Sequence, residues 1–339
     1  MNKSGLAAFF ACTLLIHHVA LAATEGTVTQ EAALKLTFLG TGAPRPSTKR
    51  YGPSILVEAG EHLLVVDAGP GMRERMFVAG GFDLLTRVDH VLVTHLHFDH
   101  VISIPGFWLG GWLYGRRVPL RIQGPVGTEA MIANFRSAYE WDIAYRELVG
   151  VPLEGTEIQV EDVKPGVIFD EGGLSITAFD VEHMPIDPST GEYLDFDGQT
   201  FGYRIDYMGR SVVFSGDTRP SDNLVKHAQE VDVLIHEVQV PSPGSSKEAA
   251  LANVSLSVHS TPEQAGVIFA RSKPRMAVYS HIIPPETTAE DLVIATRPTY
   301  DGPLTVAHDL MMIVVGEDIE ITERARMGDQ RFEESRVLK

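Results

Sequence analysis

From residue 34 onward, short apolar runs alternate with turn signals, and most runs are too short for anything but strands. Residues 36–39 read as a strand ending in Gly40-Thr41-Gly42. Residues 54–58 and 63–66 read as paired strands around Ala59-Gly60-Glu61. Further strands are expected at 91–93, 120–123, 174–179, 201–207, 211–214, 231–235 and 276–279. The turn Met208-Gly209-Arg210 joins two of them as a hairpin. Residues 128–145 have helical spacing. Helices are expected to begin at Ser221 and at Thr261-Pro262-Glu263, where a capping side chain precedes proline in the first turn. Strands come in groups with helices between the groups, so the pattern predicts an α/β fold with two sheets covered by helices, not a strict βαβ repeat.

The start of the chain departs from this pattern. Lys3, the apolar stretch 6–16 and Ala20-Leu21-Ala22 together read as a leader over residues 1–22, with a periplasmic or secreted location as the expectation. The competing reading is an uncleaved anchor helix. Cys12, the single cysteine, falls inside this stretch, which excludes structural disulfides and thiolate ligands from the rest. The formal charge of −17 makes the chain a poor general binder of polyanions. Arg116-Arg117 and the pair Arg324 and Arg326 read as solvated positions.

The chemistry concentrates in Thr94-His95-Leu96-His97-Phe98-Asp99-His100, directly after a predicted buried strand. Residues two apart at a strand end point the same way, so His95 and His97 can reach one metal ion. Asp99 and His100 lie in the following turn and can reach a neighbouring ion. Left unliganded beside a buried strand, such a cluster would be costly. Imidazole and carboxylate donors suit zinc, and also iron or manganese. His183, Asp217, His236 and His281 each follow a further predicted strand. Side chains leaving one end of a set of strands converge, and a site for two metals needs about seven or eight ligands including a bridging carboxylate. Asp217, after Ser215-Gly216, is the best bridge, because Gly216 lets the backbone pass close to the ions.

These motifs, with Gly52-Pro53-Ser54, Asp67-Ala68-Gly69-Pro70-Gly71, His236-Glu237 and His259-Ser260-Thr261, resemble the metallo-β-lactamase-fold hydrolases, in the ribonuclease Z and secreted arylsulfatase-like branch. The resemblance implies a four-layer αββα sandwich with two mixed sheets packed face to face. It implies one hydrolase domain over residues 23–325, followed by a charged tail over 326–339. It also implies a ligand set. His95, His97, His183 and Asp217 would hold one metal, and Asp99, His100, Asp217 and His281 the other. His236 is left out, because all eight positions are filled. Asp99 would orient the attacking water, and His259 would bind the oxyanion and protonate the leaving group. Asp67 would orient ligand imidazoles, while Glu237 would orient His259 or a ligand, or serve as a structural partner. The implied enzyme is a dinuclear zinc hydrolase of phosphodiesters or aryl sulfates, with a metal-bridging hydroxide as nucleophile. A small-molecule ester is the expected substrate, no stable membrane association is expected after leader cleavage, and a homodimer is compatible with the family.

Two departures sharpen this expectation. The interval between His183 and Asp217 is too short for the arm with which ribonuclease Z enzymes clamp transfer RNA. Together with the acidic charge, this argues against transfer RNA as a partner. An aspartate at position 217 argues against β-lactamase activity, although lactonase, β-lactamase and thioester hydrolase remain rivals, as does a non-catalytic metal-binding protein. The apolar run from Phe107 to Tyr114 either lines a substrate pocket or is a core helix with glycines for close packing. The acidic loop 185–199 is a candidate pocket rim, and His62, His90, His227 and His308 read as structural or surface residues.

Overall fold

The protein is seen in a computed structural model that describes residues 34–185, 187, 189, 190, 194, 199–241 and 257–323. The expected leader, the domain limits at 22/23 and 325/326, the pair Arg324 and Arg326, and most of the loop 185–199 lie outside the described residues. The apolar runs form two sheets. The first contains β1 (Leu34–Gly40), β2 (Ser54–Ala59), β3 (His62–Val66), β4 (His90–Leu92), β5 (Leu120–Gly124), β6 (Ile158–Asp162), β14 (Met311–Val315) and β15 (Ile319–Glu323). Its order is β15-β14-β1-β2-β3-β4-β5-β6. The second contains β7 (Gly166–Glu171), β8 (Leu174–Asp180), β9 (Phe201–Tyr207), β10 (Arg210–Phe214), β11 (Val233–Gln239), β12 (Met276–Ile283) and β13 (Leu304–Val306), in the order β13-β12-β11-β10-β9-β8-β7. Both are mixed: β3 to β6 run parallel, as do β10 to β13, and the remaining neighbours are antiparallel.

The two-residue period of the strands explains the layering. Leu64, Val66 and Leu92 of the first sheet and Val212, Phe214, Ile235 and Val278 of the second share one core between the sheets. Their chain neighbours face outward. Val65, Val91 and Val93 pack with Met72 and Met76 of α1 (Met72–Arg87) and with Phe107 and Trp108 of α3 (Ile104–Tyr114). Val213, Leu234 and Ala277 pack with Leu224 of α6 (Asp222–His227), Phe269 of α7 (Pro262–Ser272) and Leu292 of α8 (Ala289–Thr296). Strands covered on both faces read as continuous apolar runs, which is why the central strands show no polar alternation. The result is the expected αββα sandwich. The hairpin at Met208-Gly209 has φ of 46° and 80°, a two-residue turn that matches the twist of its strands.

Several elements differ from the sequence expectation. Residues 128–145 form two helices, α4 (Thr128–Ala138) and α5 (Glu140–Leu148), broken at Tyr139, where no proline or glycine marks the change. The run from Phe107 to Trp112 packs as a core helix, with Tyr114 at its end exposed: Phe107, Trp108 and Trp112 are fully buried, and both indoles donate to backbone carbonyls, Thr156 O at 3.0 Å and Pro152 O at 2.6 Å. Arg116 is not solvated. It is buried, donates to Trp108 O at 2.7 Å, and burial pushes its guanidinium down to about 10 against the pull of Asp89. The apolar wall made by α3 is what hides it.

Candidate metal centre

The site lies where β3, β4, β8, β10 and β12 release their chain toward one edge of the sandwich. His95, His97, Asp99 and His100 follow β4, the last two inside α2 (Phe98–Val101). His183 follows β8 and Asp217 follows β10. Gly216 between them has φ 58°, and a Cβ there would lie 2.4 Å from Phe201 O, so only glycine makes this turn. His281 is inside β12, not after it. The register with β11 shifts between His236/Tyr279 and Val238/Ile282, and His281 occupies the extra position at φ 45°. A bulge of this kind re-aims one side chain, here into the site.

The donor atoms form two groups. His95 Nε2 is 2.9 Å from His97 Nδ1, and His183 Nε2 is 3.3 Å from the same atom. Asp217 Oδ2 is 3.8 Å from His95 Nε2 and 3.9 Å from His183 Nε2. Four donors at zinc bond lengths in a tetrahedron stand about 3.3 Å apart, so this group fits an ion. In the second group Asp99 Oδ2 is 3.6 Å from His100 Nε2 and 3.5 Å from His281 Nε2. Asp217 Oδ2 closes this group too, at 3.5 Å from His100 Nε2 and 3.4 Å from His281 Nε2. One carboxylate oxygen therefore stands between both sets. Asp99 Oδ2, His100 Nε2 and His281 Nε2 are buried with no hydrogen-bond partner among the described residues, a costly arrangement that a bound cation relieves.

The surroundings fix which nitrogen faces inward. His183 Nδ1 donates to Val258 O at 2.9 Å, and His100 Nδ1 donates to Asp67 Oδ2 at 2.8 Å. Thr94 Oγ1 donates to Asp67 Oδ2 at 2.9 Å and lies 3.0 Å from His95 Nδ1. Each contact leaves Nε2 of its histidine free to act as a ligand. Burial pushes His183 down to about 4 and His95 well below its ordinary value. Burial opposes ionisation of Asp217, but His281 and His100 outweigh it and hold the carboxyl far down. Neutral imidazoles beside ionised carboxylates are the state that binds metal. At His100 burial is outweighed by Asp217 and Asp67, which draw positive charge to that spot.

His259 stands outside both donor groups. Its ring packs against His183 with centroids 4.9 Å apart, and its Nδ1 is 3.3 Å from Glu237 Oε1. Burial would lower its pKa, but the Glu237 carboxylate raises it to about 9. Glu237 Oε1 also accepts from Ser260 N at 2.9 Å, so its place is set by backbone. His236 points the other way, into the outer helix layer against Phe269, with Nδ1 2.6 Å from Glu237 O. Sequence reasoning missed Thr94, the Val258 carbonyl and Asp309. Asp309 accepts from Thr41 N at 3.0 Å and Tyr51 N at 2.9 Å, and Thr41 O in turn accepts from Ile282 N at 3.0 Å, next to His281. Thr94 was in plain view beside the ligands, whereas Asp309 lies 268 residues from Thr41 and carries no local signal.

Residues 62–282 match the family model of the β-lactamase superfamily domain. The chain is 30% identical over 259 residues to a ribonuclease Z of Mycobacterium sp. (strain KMS), covering 74% of this chain and 85% of that one. Among solved structures it resembles the metallo-β-lactamase fold protein YhfI from Bacillus subtilis, with TM-score 0.62, 18% identity, and coverage of 84% and 100%. It also resembles the short form of human tRNase Z, with TM-score 0.60, 21% identity, and coverage of 84% and 99%. These relatives overturn the exclusion of transfer RNA. Net charge is a sum over the whole molecule and does not describe the surface around one site, and a short interval between His183 and Asp217 bears on one insertion only. With 221 consecutive positions matched and relatives named ribonuclease Z, the chain belongs to the metallo-β-lactamase superfamily, whose hydrolases share this fold.

Proposed function

We propose that the protein is a metal-dependent phosphodiester hydrolase whose two ions, zinc in this reading, are held by His95, His97, His183 and Asp217 and by Asp99, His100, His281 and Asp217. The observation that carries it is the single oxygen Asp217 Oδ2, 3.4 to 3.9 Å from four inward-facing imidazole nitrogens. A bound pair would supply Lewis-acid polarisation of the ester and activation of water. The chain's own residues do the rest. Asp99 turns a buried carboxylate oxygen toward His100 and His281, where it would help hold the second ion and orient the attacking water. His259, held protonated by Glu237, donates to the leaving-group oxygen or to the oxyanion. Asp67 and Thr94 keep His95 and His100 in the ligating tautomer.

The test is an assay of the purified protein, with metal content measured, on bis(p-nitrophenyl) phosphate, p-nitrophenyl sulfate and a precursor transfer RNA side by side. Phosphodiester turnover that EDTA abolishes is expected, and Asp217→Asn is expected to lose metal and turnover together. Turnover of the sulfate alone would replace this reading with an aryl sulfatase. Turnover of none, with both metals bound, would move the reading to lactone, β-lactam or thioester hydrolysis.

A further inference from the structure

His183 sits on a stretch that belongs to neither sheet. β8 ends at Asp180 and β9 begins at Phe201, and Val181 N still donates to Thr200 O at 2.9 Å before the chain leaves the ladder. The bond from His183 Nδ1 to Val258 O fixes which ring nitrogen faces inward, but not where the backbone of the ligand stands. That backbone is held from the turn that carries Asp217. Glu182 N donates to Thr218 Oγ1 at 2.9 Å, and Arg219 N donates to Glu182 O at 2.9 Å. The Arg219 guanidinium then reaches both neighbours of the ligand: Nη1 donates to Met184 O at 3.0 Å and Nη2 to Glu182 Oε2 at 2.7 Å. The Arg219 side chain is only 15% exposed, whereas that of Glu182 is 52% exposed, so the ion pair by itself adds little attraction. The bond to the Met184 carbonyl differs, because it fixes main chain directly after the ligand. A planar guanidinium spans two acceptors at once, a shape that an ammonium lacks.

We infer that Arg219 is a positioning residue for the first metal ion: by tying Glu182 and Met184 to the turn that carries Asp217, it holds the His183 imidazole beside Asp217 and so sets the affinity of the ion that His95, His97, His183 and Asp217 share. This rests on the metal assignment proposed above. Arg219 supplies no ligand atom of its own. Asp217 keeps separate support, because Thr218 N donates to Glu237 Oε1 at 3.3 Å and Thr218 O accepts from Ser260 Oγ at 2.8 Å. The second ion takes no ligand from residues 182–184, so loss of Arg219 acts on the first ion selectively. Metal affinity needs no turnover and is measured apart from the phosphodiesterase assay.

The experiment is zinc binding to the purified protein after chelation, measured by competition with a chromophoric chelator, in the wild type, Arg219→Met and Arg219→Lys. His183→Ala and His281→Ala, one from each donor group, show which of the two dissociation constants belongs to which ion. Arg219→Met keeps the aliphatic stem and removes the donors. It is expected to weaken the binding that His183→Ala abolishes by about 10- to 100-fold, the usual scale for a contact behind a metal ligand, and to leave the binding that His281→Ala abolishes unchanged. Arg219→Lys reaches one acceptor in place of two and should fall between. Melting of the chelated proteins controls for folding, and if Arg219→Met does not fold, Arg219→Lys carries the same comparison. Wild-type affinity for both ions in the variants, or equal weakening of both, would overturn the inference and leave the metal site intact. A wild type that binds no zinc would overturn the metal assignment and the inference together.

Discussion

His259 and Glu237 show how far one buried pair sets the chemistry at the scale of single residues. The ordinary histidine pKa near 6.5 would leave His259 largely neutral at physiological pH, and burial alone would lower it further. The Glu237 carboxylate at 3.3 Å reverses this and raises it to about 9. A proton donor of this kind is active while protonated, so the pH–rate profile should fall on its alkaline side near that value. Glu237→Gln keeps an acceptor for Ser260 N but removes the charge. The alkaline limb should then move down by a unit or more, read from kcat across pH. His259→Ala should keep both metals and lose roughly 10²–10⁴ of turnover, the usual scale of general acid catalysis. Full turnover in that variant would remove His259 from the reaction. The same raised pKa means that the pair stabilises the fold fully below the ordinary value, and that this contribution fades as pH rises through about 9. The cluster of donor side chains was legible because several histidines and aspartates recur at the ends of successive strands, although one such position, His236, turns away from it. The outer contacts were legible only in part: Asp67 and Glu237 stand in motifs and were named, whereas the contacts of Asp309, Thr94 and the Val258 carbonyl come only from where the chain folds back.

Strand ends and caps carry the same lesson at the scale of elements. The apolar pattern predicted most strands to within a few residues, and Thr261-Pro262 predicted the start of α7. It missed the bulge in β12, because the extra residue is visible only against the register of β11. It also merged α4 with α5, because their apolar spacing runs on through Tyr139 while the buried face does not: α5 has no buried residue. The α7 cap can be tested by itself. Thr261 accepts from Gln264 N at 3.4 Å, and the Gln264 side chain accepts from Thr261 N at 2.9 Å, a reciprocal capping box. Thr261→Ala should cost about 1 kcal/mol of stability, seen as a lower denaturant midpoint with an unchanged slope. Thr261→Ser should restore most of it. Because His259 lies two residues before this cap, turnover should fall with Thr261→Ala only if the cap also fixes the loop that holds His259.

For the whole molecule, the donor groups join two sheets that otherwise meet through an apolar core. His95, His97, Asp99 and His100 leave the first sheet after β4, while His183, Asp217 and His281 leave the second from β8, β10 and β12. Each proposed ion therefore takes ligands from both sheets, and Asp217 reaches both ions from the second. Without a cation, the ionised carboxylates of Asp99 and Asp217 and the unpartnered Nε2 atoms of His100 and His281 stay buried together, which the sandwich must offset elsewhere. A ligand that binds only the folded state at a thousand times its dissociation constant adds about 4 kcal/mol. In a domain of this size that corresponds to a rise in melting temperature on the order of 10 °C. Chelation should lower the melting temperature by that amount and readdition of zinc should restore it, whereas Asp217→Asn should melt near the chelated wild type and respond weakly to zinc. If chelation strips both metals and melting does not move, the ions serve catalysis alone, and the two sheets are held by the shared core of Leu64, Val66, Phe214 and Ile235 without help from the site.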